Sequence, residues 1–301
     1  MAISSSTIRL LERESKRKPF KGSVLQLGRQ EIWSTEKAML SIASKEGYDL
    51  VTVKGDYPLK KSKFVDFMCM DDVQFFKMLG FSSVHSLDVN DFEGADVLYD
   101  MNVPIPSESR HLNKYDVIFD GGTLEHVFHV PQFLKNVFDL LAVNGRIIHC
   151  SPVDMFNHGF YNFSPCLFED FYGANNFEIN TCWIVKKPYN THFNGSWYYT
   201  VANRNSQFIR SLCADTLDKA THGLFFVATK LSTSTGNIIP TQGYYEDIFC
   251  QKENYGNNGL VAGNSPLKSA YTKLRSIPVV NSLARYFRDA YARSRVKWES
   301  V

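Results

Sequence analysis

Residues 114–152, KYDVIFDGGTLEHVFHVPQFLKNVFDLLAVNGRIIHCSP, read as strand, loop, helix, turn and strand. The apolar run Tyr115 to Phe119, with Asp116 near its start, is ended by Gly121-Gly122. Phe133, Val137, Phe138, Leu140 and Leu141 recur at helical spacing, and Asn144-Gly145 predicts the helix stop. Arg146 to Cys150 is a second apolar run, closed by Pro152. Two buried strands joined by a helix make a parallel βαβ unit, and such sheets bind ligands beyond the carboxyl ends of their strands. Asp120, Gly121, Gly122, Thr123, Glu125 and His126 are therefore expected at the mouth of a cleft.

Upstream, Ser23 to Leu27 is an apolar strand ending in Gly28. Ser34 to Lys45 predicts a helix with Ser34 or Thr35 as cap and Gly47 as stop. The lysine-rich stretch Tyr48 to Asp66 reads as part of an insertion or lid at about 31–70. Asp71-Asp72 open a helix stopped by Gly80, and the strands Ser83–Asp88 and Gly94–Asp100 each end in an acid. An acid after the second strand can accept both ribose hydroxyls, and one after the third can accept from an adenine amino group. Each acid alone is more often a solvated strand end. Their order, after a strand ending in glycine, favours a nucleoside-containing cofactor.

Downstream, residues 153–165 are dense in aromatic and hydrogen-bonding groups, a loop well placed to meet a substrate. Cys166 to Tyr172 reads as a helix, and Phe177 to Lys186 and Gly223 to Lys230 as strands. The organisation expected is a leader at 1–21, an α/β domain at 22–232, connective loops at 233–264 and a basic helical tail at 265–301. That tail holds eight Lys/Arg against two acids, a charge of 8 − 2 = +6, so the rest of a chain of net charge +2 stands at 2 − 6 = −4. The tail suits a helix packed on the body, or a membrane surface or partner. The balance of the whole chain gives no signal for nucleic acid. Six scattered cysteines without a C-x-x-C pair argue against disulfides and zinc. No run approaches the roughly 20 apolar residues that span a bilayer, and the N-terminus lacks a signal-peptide core. A cytoplasmic protein is expected.

Three segments, Ser86–Pro106, Tyr115–Val137 and Asn157–Pro165, carry a resemblance. From about Val24 to Lys230 the chain resembles the class I S-adenosylmethionine-dependent methyltransferases of small-molecule type, and within them a poorly characterised bacterial subgroup. The resemblance implies a three-layer Rossmann-like fold, with a seven-stranded sheet of order 3-2-1-4-5-7-6 and an antiparallel last strand. It implies S-adenosylmethionine as cofactor, with Gly28 against the methionine part, Asp88 on the ribose, Asp100 on the adenine amino group and Gly121-Gly122 beside the sulfonium. The chain departs from this pattern in two places. Gln26-Leu27-Gly28-Arg29-Gln30 stands where the family has an acid and a G-x-G run. Gly28 and Asp88 are 88 − 28 = 60 positions apart, against about 20 in nucleotide-binding βαβ units.

Methyl transfer needs alignment and, for a hydroxyl acceptor, removal of a proton. His126 and His158 are the candidate bases, and Glu125, Asn157 and Tyr161 the candidate acceptor contacts. For His126, hydrogen bonding at a helix start accounts for the residue equally well. His126 and His129 are too few to hold a metal, and none is expected. A hydrolase lacks its G-x-S-x-G turn, and a dinucleotide enzyme its G-x-G-x-x-G run. Methylation of DNA bases at an amino group lacks its Asn/Asp-Pro-Pro-aromatic run. The reading is methyl transfer to a small molecule or sugar, at oxygen. Its rival is a non-catalytic binding protein on the same fold, using the tail.

Overall fold

Residues Ser23–Leu27 (β1) turn Val24 to one side and Leu25 and Leu27 to the other, all buried. Such a strand needs a neighbour at each edge and a layer over each face. The computed structural model supplies both. It describes residues 2–62, 66, 68–155, 157–187, 200–203, 221–243 and 299–300. Most of the tail and residues 188–199 lie outside these residues.

The other core strands are β2 (Ser83–Asp88), β3 (Val97–Leu98), β4 (Tyr115–Asp120), β5 (Leu141–Pro152), β6 (Glu178–Lys187) and β7 (Thr221–Thr229). Their order is 3-2-1-4-5-7-6, and of these seven β7 alone runs opposite to the others. This is the class I methyltransferase arrangement that the resemblance implied. Beyond these seven, two short strands, Thr200–Asn203 and Glu299–Ser300, extend the β6 edge in antiparallel fashion, which makes nine strands among the described residues. The expected third strand shrinks to Val97–Leu98, and Asp100 lies beyond its end.

The helices are α1 (Ser5–Arg17), α2 (Glu36–Glu46), α3 (Asp72–Met78), α4 (Val130–Leu140) and α5 (Pro165–Ala174). Alternation along the strands sorts them into two layers. Ile118, Ile147 and Phe226 meet Phe133 and Val137 of α4 and Phe168 and Tyr172 of α5. Val117, Phe119, Ile148 and Phe225 meet Ile8 and Leu11 of α1, Met39 of α2 and Phe75 and Phe76 of α3. Thr35 caps α2 and Gly47 ends it with φ of 68°, as its sequence predicts. Among the described residues no helix is long and apolar enough to cross a membrane.

Two expectations change. The stretch read as a leader carries α1, capped by Ser4 and held by an ion pair between buried Glu14 and buried Arg146, Oε1 to guanidinium 2.5 Å. Full burial of Ile8 and Leu11 is worth about 1.5–3 kcal/mol each, enough to hold a helix that its isolated sequence would not. The second concerns Asn144-Gly145. Helix α4 ends at Leu140 and β5 starts at once, while Asn144, at φ 65°, and Gly145 sit where the β4–β5 register shifts. A Cβ on Gly145 would lie 2.8 Å from the Ala142 carbonyl and 2.9 Å from that of Tyr115. The same left-handed preference that ends helices here makes a bulge.

The insertion is tied down at several points. Glu31–Ile32 pairs in parallel with Ala2–Ile3, Lys60–Lys61 pairs antiparallel with Met68–Cys69, and Ile32 bridges to Met70.

Candidate active site

The corner after β4 is set from below. Asp120 is fully buried, and its Oδ1 accepts the N–H groups of Thr123 at 2.8 Å, Leu124 at 3.2 Å and Gly122 at 3.4 Å. Its Oδ2 meets His149 Nδ1 at 2.7 Å, and His149 Nε2 meets the Tyr172 hydroxyl at 2.8 Å. Burial pushes the Tyr172 pKa well up, so the phenol keeps its proton. Donating it to Nε2 leaves Nδ1–H for Asp120, and every group in the chain is then satisfied. Asp120, expected at the cleft mouth, is instead the foundation under it. Thr123 Oγ1 donates to the Leu27 carbonyl at 2.6 Å and locks this corner to the end of β1.

On that base, one 3-10 turn, Leu124–His126, presents Glu125 and His126. The loop after β5 returns to it, with the Phe160 N–H donating to the Glu125 carbonyl at 2.7 Å. Gly159 has φ of 69°, and a Cβ there would meet the Glu125 carbonyl at 2.7 Å and its Cγ at 2.9 Å, so the approach requires glycine. His158 Nε2 thereby lies 3.4 Å from Glu125 Oε1, with Glu125 buried and His158 half-exposed. The rings of His126 and His158 meet edge to face, centroids 5.1 Å apart. Partial burial lowers the His126 pKa, which favours neutral imidazole.

Glu125 and His158 line a cleft of about 320 Å³, with Gly121, Gly122, Ser4 and Trp33 among its other walls. Strands β1 and β4 diverge in connectivity at this edge, the switch point where open α/β sheets bind ligands. On the β1 side, Gly28 turns at φ 69° and donates its N–H to the Leu87 carbonyl at 2.8 Å. Arg29 pairs with Asp72 at 2.6 Å, and Gln26 donates to the same carboxylate at 2.6 Å. Gln30 folds back, its Nε2 donating to the carbonyls of Leu27 at 3.2 Å and Gly28 at 3.1 Å. Those two acceptors fix the amide's orientation, so Oε1 is the free end. It is buried without a hydrogen-bond partner among the described residues, 2.6 Å from where a Cβ on Gly121 would stand. The close approach explains the glycine.

Asp88 is half-buried at the end of β2, with Oδ1 accepting from the Val89 N–H at 2.7 Å. Asp100 Oδ1 accepts from Asn102 N at 2.9 Å and Nδ2 at 2.8 Å. The structure thus joins Gly121, Gly122, Glu125 and His158 at one cleft, sets His126 beside it, and leaves Gly28, Asp88 and Asp100 along the β1–β3 edge. Asn157 is exposed, at φ 59°, and the Tyr161 hydroxyl donates to the Phe128 carbonyl at 2.9 Å, so neither lines the cleft wall. His129 caps α4 through Nδ1, apart from His126. Gln30, the buried Asp120–His149–Tyr172 chain and a His222–Asp154 pair, Nδ1 to Oδ2 2.6 Å, have no sequence motif to announce them.

No protein-family model and no curated protein matches the chain. Solved structures do. A Burkholderia thailandensis 1,6-didemethyltoxoflavin-N1-methyltransferase, with 1,6-didemethyltoxoflavin and S-adenosylhomocysteine bound, is 12% identical over 75% of this chain and 78% of its own, TM-score 0.35. A putative methyltransferase of Bacillus halodurans is 11% identical over 76% and 100%, TM-score 0.40. An S-adenosylmethionine-dependent methyltransferase of Archaeoglobus fulgidus is 11% identical over 74% and 94%, TM-score 0.34. At these values the likenesses add no weight, and the fold assignment rests on strand order and direction.

Proposed function

We propose that the protein transfers a methyl group from S-adenosylmethionine to a small molecule or sugar, at oxygen. The observation that carries this reading is the Glu125–His158 pair in the wall of a cleft floored by Gly121-Gly122, beside the β1–β4 switch point. The residues there fit the cofactor. Asp88 would take the ribose hydroxyls, Asp100 the adenine amino group, and Gly28 would lie against the methionine part. The unpartnered Gln30 Oε1 is an acceptor waiting for a donor, and the ammonium of an amino-acid moiety is one. When bound, S-adenosylmethionine supplies an electrophilic methyl on sulfur.

The chain's own residues align the acceptor and take its proton. His158 accepts the hydroxyl proton on its imidazole, and the Glu125 carboxylate orients the ring and stabilises its charged form. His126 packs on His158 and shares that role. Asn157 and the Tyr161 ring offer contacts to the acceptor at the rim.

Calorimetry tests the reading. S-adenosylmethionine should bind the wild type, and Asp88→Ala should lose at least tenfold in affinity. His158→Ala should bind as the wild type does and lose turnover by about 10²–10⁴. No heat and no thermal stabilisation in the wild type would overturn the reading. One observation favours the rival, a binding protein without turnover whose 265–301 tail meets a membrane or partner. Gln30 and the Arg29–Asp72 pair stand where the family's glycine loop leaves room. Binding without turnover toward any hydroxyl acceptor would select it.

A further inference from the structure

Two histidines and one carboxylate converge at the cleft although they come from different parts of the chain. Glu125 and His126 leave the 3-10 turn after β4, and His158 comes from the loop after β5. One ligand atom from each lies within 4.8 Å of the others. We propose that Glu125, His126 and His158 bind a divalent transition-metal ion, facing the acceptor side of the cleft. The binding stands on this cluster alone, whereas its role in catalysis rests on the methyl-transfer reading.

The geometry suits a cation. Nitrogen and carboxylate ligands bind such ions at about 2.0–2.2 Å, which spaces ligand atoms by roughly 3–3.5 Å. Closing from the observed spacing needs rotation of the imidazoles, and both histidines are exposed enough to make it. Glu125 need not move. It is buried, and its turn is fixed by Asp120 below and by the Phe160 N–H on its carbonyl. Gly159 brings His158 into reach, because no side chain fits against Glu125 at that position. The fixed member is the carboxylate and the adjustable members are the imidazoles, so the site closes around an ion without refolding.

Ligand type narrows the ion. Imidazole suits zinc, cobalt, iron and nickel, whereas magnesium and calcium prefer all-oxygen sets. Three protein ligands leave positions open, as catalytic sites do. An acceptor hydroxyl on such an ion would lose its proton more readily, the cation stabilising the alkoxide. With the ion bound, metal activation replaces the proton transfer to His158 of the metal-free reading, because the His158 lone pair is on the metal and the proton leaves to solvent. No oxidation or reduction is involved.

The test uses the full chain, stripped by chelator and titrated with Co²⁺, and reads the visible absorption of the bound ion. Saturable binding of one equivalent is expected. His126→Ala and His158→Ala, both at exposed positions, should each weaken it at least tenfold, and Glu125→Gln should weaken it as well. His129→Ala, outside the cluster, should leave it unchanged. Absence of saturable binding, or binding indifferent to the His126→Ala, His158→Ala double variant, would overturn the proposal. The measurement needs neither S-adenosylmethionine nor turnover. A metal-binding chain that transfers no methyl group would refute the function and keep the site. Methyl transfer in a chain that binds no Co²⁺ would do the reverse.

Discussion

Glu12 shows how far a single residue's surroundings can depart from what its type suggests. It sits on α1, 1% exposed, and both carboxylate oxygens are buried without a hydrogen-bond partner among the described residues. Burial, with Glu46 adding to it, raises its pKa from 4.5 to about 8. Between those values the unfolded chain has released the proton and the folded chain still holds it. Stability from this group is therefore full below pH 4.5 and is lost as pH rises through 8. Glu12→Gln should flatten that loss and so stabilise the protein at pH 9, with no difference at pH 4. Urea denaturation at the two pH values reads it, and equal curves at pH 9 would contradict the assignment. At this scale the sequence was legible where chemistry follows chain order, as for Glu125 and His126. It was silent where two strands had to be placed first. Asp120 and His149 become direct neighbours only through the β4–β5 register, and Tyr172 joins them only once α5 docks.

Among the elements, the strands and α2 were readable because their apolar runs, caps and stops are local. Helix α1 was legible only as a hint, from Ile8, Leu10 and Leu11, and its docking was not. Its partner Arg146 is 132 positions away, and the face that Ile148 and Phe225 provide comes from distant strands. Arg146→Ala should cost about 3 kcal/mol, because it strands Glu14 in the interior with Arg17 as the remaining partner. A two-state urea melt measures this, and a loss below about 0.5 kcal/mol would mean the pair is replaceable. The turn Asn144-Gly145 was misread for a different reason. Helix stops and bulges use the same left-handed backbone, so the dipeptide marks a change of direction without naming its kind. The third strand was overread. Asp96 accepts from the N–H and hydroxyl of Ser86 and pulls Gly94–Asp96 out of strand geometry, leaving two residues to pair.

For the whole molecule, the recurrence of strand and helix made a mostly parallel sheet legible, its order followed only from the family resemblance, and the two extra edge strands were not legible, since their pairing follows no sequence period. If the switch point holds S-adenosylmethionine, the folded state alone binds it. A concentration one hundred times Kd should then add about 2.7 kcal/mol to the stability of the chain, seen as a rise in Tm that Asp88→Ala cuts to about half or less. A Tm that ignores the ligand would speak against any site there. One feature of the cleft bears on when it exists. Its lining runs from Ala2 and Ser4, ahead of β1, to Gly223 and Phe225 on β7. During synthesis the first wall emerges long before the last, and long-range closures of this kind come late in folding. A nascent or truncated chain lacking β7 would have Glu125 and His158 but not the wall that Gly223, Leu224 and Phe225 supply. Closure of the chamber thus waits on the docking of its last-made strand.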